Sequence, residues 1–316
     1  MLKVKNLNSS YYIKSDSWFH KNQIKAVEDI NLEIPEEKTF GLVGESGCGK
    51  SSLGRSILRL QKIDSGSIFF QNKDILTLSK KELFPFRKKM QIIFQDPFSS
   101  LNPRWTISEI LSEGLDLHES LTKVEKYKRM EYILAKMNLK TEILDRYPHE
   151  FSGGQRQRIS IARSLILEPE FLVCDEIVSA LDVSNQAQVL NLLTEYKKEK
   201  NLSMLFISHD LNVISYISDF IGVMYLGKLV EVGTVDEITN RMSHPYTKLL
   251  YSSLFELKPK KQNKKEVIKS EIPSILNKPK GCYFHTRCPI ATELCREKVP
   301  EFKKLSNSHS SACHFS

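Results

Sequence analysis

Three features predict an α/β fold on a mostly parallel sheet. Short apolar runs alternate with helix-spaced segments along the chain. A glycine-rich Gly-Lys-Ser loop joins one apolar run to a helix. An acidic pair ends a later run. The elements follow in order. Met1 to Glu36 alternates apolar and polar residues in short runs and reads as strands. TFGLVG (Thr39–Gly44) is a buried-strand pattern leading into glycines, and KSSLGRSILRL after Gly49 has helical spacing. KKMQIIFQD reads as another strand, and Thr106 to Lys140 as helical. A further helix is expected from about Ser152. EFLVCDE and SMLFISHD are strand patterns separated by a helix from Gln186 to Lys200. FIGVMYLGKLVEVG reads as a hairpin turning at Leu226–Gly227.

The 316 residues suffice for one large domain or two smaller ones. No run approaches the length of a membrane span, and the N-terminus has no continuous apolar segment of the signal-peptide kind. The cytosol is therefore expected, where disulfides are disfavoured. The net charge of +8 belongs to the tail: from His244 onward there are 14 Lys+Arg against 6 Asp+Glu, and the remainder is balanced. The tail lacks the interleaved aromatics of a single-strand nucleic-acid platform, so no nucleic-acid partner is expected. From about Leu257 it is rich in Lys and Pro and reads as a linker.

GESGCGKS (Gly44, Glu45, Ser46, Gly47, Cys48, Gly49, Lys50, Ser51) matches G-x4-G-K-[ST] between a predicted strand and a predicted helix. Ser52 follows on the first turn. Such a loop turns backbone amides and a helix N-terminus toward a polyphosphate. Lys50 suits the β- and γ-phosphates and Ser51 suits Mg²⁺. Cys48 reads as a tolerated loop residue whose thiol is exposed to oxidation chemistry. At the end of FLVCDE, Asp175 suits the Mg²⁺ shell and Glu176 a general base. EFSGGQRQRISIARSL presents Ser152, Gly153, Gly154 and Gln155 at an expected helix start, a second phosphate cradle of the same physical kind. One γ-phosphate needs one cradle. Two in one chain suggest a head-to-tail pair of chains, each cradle serving a different nucleotide.

On these motifs the chain resembles the ATP-binding cassette (ABC) ATPases over about residues 1 to 255. The resemblance implies a RecA-like P-loop domain with an antiparallel β subdomain and a helical subdomain over about 97–160. It implies that Gln95 of IFQDPFSSLNP is the Q-loop glutamine, a Mg²⁺ ligand that with the helical region at about Pro97–Lys140 relays motion to the membrane partner, that SALD (Ser179–Asp182) is the D-loop, and that His209 of ISHD contacts the γ-phosphate. Tyr11 stands where an aromatic stacks on adenine, with Tyr12 beside it. Catalysis would then rest on Glu176, His209, Gln95 and Lys50. Ile177 replaces the family's usual Pro, which is expected to loosen the turn.

GLVGESGCGKSSLGRSILRL, QIIFQDPFSSLNPR and DVSNQAQVLNLL, with SHPYTKLLYSSL and a Cys-containing extension, resemble the ATPase subunits of bacterial oligopeptide/dipeptide importers, the second (F-type) subunit in particular. That resemblance implies a peripheral ATPase on the cytoplasmic face of the membrane. Its implied partners are a sibling ATPase, two permease chains and an extracytoplasmic binding protein. Nickel and metallophore importers use similar ATPases, and a soluble cassette acting on nucleic acid is a third reading. The extension (256–316) places Cys282, Cys288, Cys295 and Cys313 at C-x5-C-x6-C-x17-C. Four thiolates suit a [4Fe–4S] cluster or zinc. The missing C-x2-C pairs and the resemblance favour iron–sulfur, with plain thiols as the third reading. His285, His309 and His314 are expected to face solvent, with substitute ligation of the metal as their alternative role.

Overall fold

The computed structural model describes residues 1–14, 21–255 and 273–316. Much of the expected Lys-rich linker, 256–272, lies outside the described residues. β1 (Leu2–Lys14) and β2 (Lys21–Ile34) are the N-terminal strands, and β3 (Thr39–Val43) is buried at every residue. α1 (Lys50–Ile57) follows the glycine loop. β4 (Ser65–Phe70), β5 (Lys73–Asp74) and α2 (Lys80–Lys89) fill a stretch that sequence periodicity left unassigned. Next come β6 (Met90–Ile93), α3 (Pro97–Ser100), α4 (Ile107–His118), α5 (Lys123–Lys136) and α6 (Gly153–Leu165). β7 (Phe171–Asp175), α7 (Val183–Lys200), β8 (Ser203–Ile207) and α8 (Leu211–Ile217) alternate strand with helix. β9 (Phe220–Tyr225), β10 (Lys228–Thr234), α9 (Val235–Asn240) and α10 (Pro245–Phe255) precede the extension, which holds α11 (Glu293–Glu297), β11 (Lys303–Lys304) and β12 (Ser310–Ser311).

Helix starts follow local chemistry. Ser79 with Glu82, Thr106 with Glu109, Thr122 with Glu125, and Ser152 with Gln155 each form a capping box, in which two otherwise orphaned backbone donors are satisfied reciprocally. The single helical span expected over Thr106–Lys140 is therefore two helices, because Thr122 starts the second. The β9–β10 turn places Leu226 (φ 43°) and Gly227 (φ 91°) both in the left-handed region, as a two-residue hairpin loop requires.

The chain divides into two compact units. The first comprises Met1, Ile34–Thr39 and Asp74–Phe206. In it β6 runs parallel to β7, pairing Met90 with Phe171 and Ile93 with Cys174, and β8 follows β7 in the sheet order. The helical stretch packs on itself, with Ile110, Leu111, Leu115, Ile133 and Leu134 buried.

The second unit comprises Leu2–Glu33, Phe40–Lys73 and Ile207–Ser316. There β1 pairs antiparallel with β4, so that Leu2 and Val4 lie opposite Phe70 and Ile68, all four buried. β3 runs parallel to β9, and β9 is antiparallel to β10. The extension continues this order: β12 pairs with β10 through Glu231↔Ser311 and Val232↔Ser310, and β11 pairs with β12. Phe284 anchors the extension. Its ring is 1% exposed and meets Tyr225 edge-on at 5.4 Å and Tyr246 at 5.3 Å. Glu28 of β2 accepts from Lys278 at 3.0 Å and from Tyr283 at 2.8 Å. Buried Glu231 accepts from the backbone N–H groups of Ser243 and His244 and lies 2.7 Å from Nε2 of His309. His309, expected at the surface, is thus a buried tie of the tail to β10.

Candidate nucleotide-binding and hydrolysis residues

In the second unit the loop between β3 and α1 has the shape of a phosphate cradle. Gly47 and Gly49 have φ of 76° and 108°. A Cβ on Gly49 would sit 2.1 Å from the carbonyl oxygen of Ala26, so no other residue fits there without moving backbone. Gly49 also caps α1, whose first amides open onto the loop. Lys50 is buried, and its ammonium donates to the carbonyls of Gly44 (2.8 Å) and Glu45 (3.1 Å). The charge needed for phosphate is therefore held inside the loop. Ser46 and Gly47 are exposed, whereas Ser51 and Ser52 are half-buried on the first turn of α1. Cys48 is buried, and burial pushes its thiol up to about 11. The expected oxidation sensitivity is corrected accordingly: a protonated, enclosed thiol is a poor nucleophile.

Tyr11 and Tyr12 are both exposed on β1, and strand alternation points them to opposite faces. His209 is exposed in the turn between β8 and α8, where the Asp210 backbone N–H donates to Ser208 Oγ at 3.0 Å.

In the first unit, Asp175 ends β7 and is buried. Glu176 follows at φ 49°, a strained conformation for a residue with a Cβ and one that clusters at functional sites. Gln95 Nε2 donates to Glu176 Oε2 at 3.2 Å, joining two residues that sequence reasoning had singled out separately. Ile177, in the place of the usual Pro, is buried. The turn is closed by Ser179, whose N–H (3.2 Å) and hydroxyl (2.8 Å) both donate to the Glu176 carbonyl. Ser152, Gly153, Gly154 and Gln155 form the start of α6, with Ser152 Oγ accepting from the Gln155 N–H at 3.3 Å. A Cβ on Gly153 would meet nothing within 4 Å, so this helix end is open.

Periodicity did not single out the partners that orient α6. The guanidinium of Arg156 lies 3.5 Å from the Phe98 ring centroid. Arg163 donates to the Ser100 carbonyl at 2.6 Å. Both tie α6 to α3, immediately after Gln95. The only sequence hint was arginine at helical spacing opposite an exposed aromatic.

Residues 27–179 match the ABC transporter family, and residues 230–295 match the family described as oligopeptide/dipeptide transporter, C-terminal region. The chain is 48% identical to the oligopeptide transport ATP-binding protein AppF of Bacillus subtilis (strain 168), over 99% of this chain and 97% of that protein. The chain belongs to the ABC transporter family. This cassette is also 46% identical to the oligopeptide transport ATP-binding protein OppF of Haemophilus influenzae (strain ATCC 51907 / DSM 11121 / KW20 / Rd), over 99% of this chain and 96% of that one. Among solved structures it resembles the dimeric cassette MJ0796 in a post-hydrolysis state bound to ADP and Pi. The TM-score is 0.67 at 27% identity, covering 74% of this chain and 99% of that one. The P-loop cassette fold expected from the sequence is thereby established.

The iron–sulfur expectation is overturned. Among the described residues no group of three or more His, Cys, Asp or Glu is placed to hold a metal ion. Cys282, Cys288, Cys295 and Cys313 do line one cavity, but its volume is about 10 Å³. That is room for about one water molecule and not for a cluster. Burial pushes Cys282 up to about 11 and raises Cys288, so these thiols stay protonated at neutral pH. All six cysteines are free. Cys295 and Cys313 are buried and Cys282 and Cys288 half-buried, so the four serve as small apolar side chains packed in the tail.

Proposed function

We propose that this chain is one of two ATP-hydrolysing subunits of a bacterial importer that carries peptides across the cytoplasmic membrane. The observation that carries this reading is the near-full-length likeness to AppF and OppF, which extends through the Cys-containing tail region. In this reading residues 1–255 are the cassette and 256–316 the extension. Lys50, Gly44–Ser52 and Tyr11 bind ATP. The hydroxyl of Ser51, the carboxylate of Asp175 and the amide oxygen of Gln95 are hard oxygen donors suited to Mg²⁺. That ion, when bound, offsets charge developing on the phosphates. Glu176 takes the proton of the attacking water, held by the Gln95 amide, and His209 contacts the γ-phosphate. Ser152, Gly153, Gly154 and Gln155 serve the nucleotide of a sibling ATPase; the dimeric state of MJ0796 supports this arrangement.

Among the described residues no helix is long and apolar enough to cross a membrane. Two permease chains and an extracytoplasmic binding protein are therefore proposed as partners, with this subunit peripheral on the cytoplasmic face. An open groove of about 590 Å³ on α4, lined by Trp105, Glu109, Ser112, Glu113, Asp116 and Leu117, suits a permease segment. It lies on the helical region that follows Gln95.

In the assembled transporter, Glu176→Gln should abolish ATP turnover while MgATP still binds. Turnover unchanged by that substitution overturns the catalytic assignment. Cargo is tested on the binding protein: affinity for oligopeptides supports this reading, and affinity for nickel or a metallophore alone replaces it.

A further inference from the structure

Arg287 lies in the tail, 242 residues from Glu45 of the glycine loop, yet the two side chains form a two-pronged ion pair. Nη1 donates to Oε2 at 2.7 Å and Nη2 to Oε1 at 2.8 Å. The pair is largely enclosed, with the side chains 8% and 20% exposed. The guanidinium lies 5.9 Å from the ring centroids of both Tyr225 and Phe284, the residues that anchor the tail. The backbone of the same loop residue is held separately: the Glu45 N–H donates to the hydroxyl of Tyr246 at 2.9 Å. Tyr246 is buried, and burial raises its phenol above the usual range, so the hydroxyl stays neutral. The Glu45 carbonyl accepts from Lys50. One residue of the cradle is thus gripped at its carboxylate by the extension, at its amide by α10, and at its carbonyl by the loop's own lysine.

We propose that Arg287 is a positioning residue for the phosphate-binding loop, neutralising the Glu45 carboxylate and fixing its direction. The proposal rests on the reading of Gly44–Ser51 as the ATP cradle. Glu45 places a carboxylate within a loop that must receive a polyanion. A like charge there opposes nucleotide binding unless a cation is held against it. The bidentate fork sets the carboxylate plane as well as its charge, which a lysine in its place would not do. The extension is therefore part of the nucleotide site and not only a lid on the hairpin edge.

The test is a set of full-length variants measured for MgATP affinity, and for kcat and KM in the assembled transporter. Arg287→Ala should weaken MgATP binding about tenfold, because it leaves a part-buried carboxylate unpaired, and should change KM more than kcat. Arg287→Lys should recover part of the loss. Glu45→Gln alone completes the cycle and should weaken MgATP binding less than Arg287→Ala does, since it removes the repelling charge while leaving Arg287 without its carboxylate. The double variant Glu45→Gln with Arg287→Ala should recover most of the affinity, since the unpaired charge is gone. A tail that serves only packing gives the opposite pattern, with the double variant as weak as Arg287→Ala. That pattern overturns the proposal, as does an Arg287→Ala affinity within twofold of wild type. Lys50→Ala is measured alongside. If it binds MgATP normally, the reading of the loop as the cradle falls; if it loses binding while Arg287→Ala does not, only the role of Arg287 falls.

Discussion

His244 shows how a single side chain makes the tail pH-sensitive. It is 1% exposed, its Nδ1 accepts from the Tyr246 N–H at 3.1 Å, and burial pushes its pKa down to about 4. The neutral ring is the folded form, while the unfolded chain takes up a proton near 6.5. Its contribution is complete above pH 6.5 and is lost as pH falls toward 4, a loss on the order of 3 kcal/mol. The melting temperature should fall over that window, and His244→Gln should flatten the fall. The same burial explains why this residue was legible only as part of a motif. SHPYTKLL marked a family position, but nothing in the string says that a ring nitrogen must stay unprotonated. Glu176 is similar. Its place after an apolar strand was readable, whereas its left-handed backbone and its bond to Gln95 are products of the folded turn.

Among the elements, those with local causes were legible. β3, β7 and β8 are five-residue, mostly apolar runs buried throughout, and α6 begins where Ser152-x-x-Gln155 places a capping box. The hairpin turned at Leu226–Gly227 as expected, because glycine tolerates the positive φ needed there. The stretch holding β4, β5 and α2 gave no clear period. β4 is buried on alternate residues only at its end, and α2 buries Leu83 alone. In the extension, short elements are held by one aromatic anchor. Phe284→Ala should destabilise its docking by about 3–5 kcal/mol, the usual effect of deleting a buried aromatic. The expected result is a lower melting temperature and faster labelling of the Cys282 and Cys295 thiols; unchanged labelling rates would show that the β10–β12 pairing suffices without the ring.

For the molecule as a whole, the two cradle-type motifs predict that catalysis needs a second chain. The purified subunit alone should hydrolyse ATP far more slowly than the assembled transporter at the same MgATP concentration. Full activity in the monomer, checked by sedimentation in the same buffer, would refute the two-chain arrangement. The sequence by itself determined the cassette motifs, the strands and helices that flank them, and the family, because each rests on neighbours within about a dozen residues. Only the tertiary structure decided the rest. It closed the four tail cysteines around a space too small for a cluster. It buried His309 against Glu231. It also set Arg287 on Glu45. Such pairings depend on which strands become neighbours in a sheet and how rings pack between them, and no local period or spacing in the chain records that.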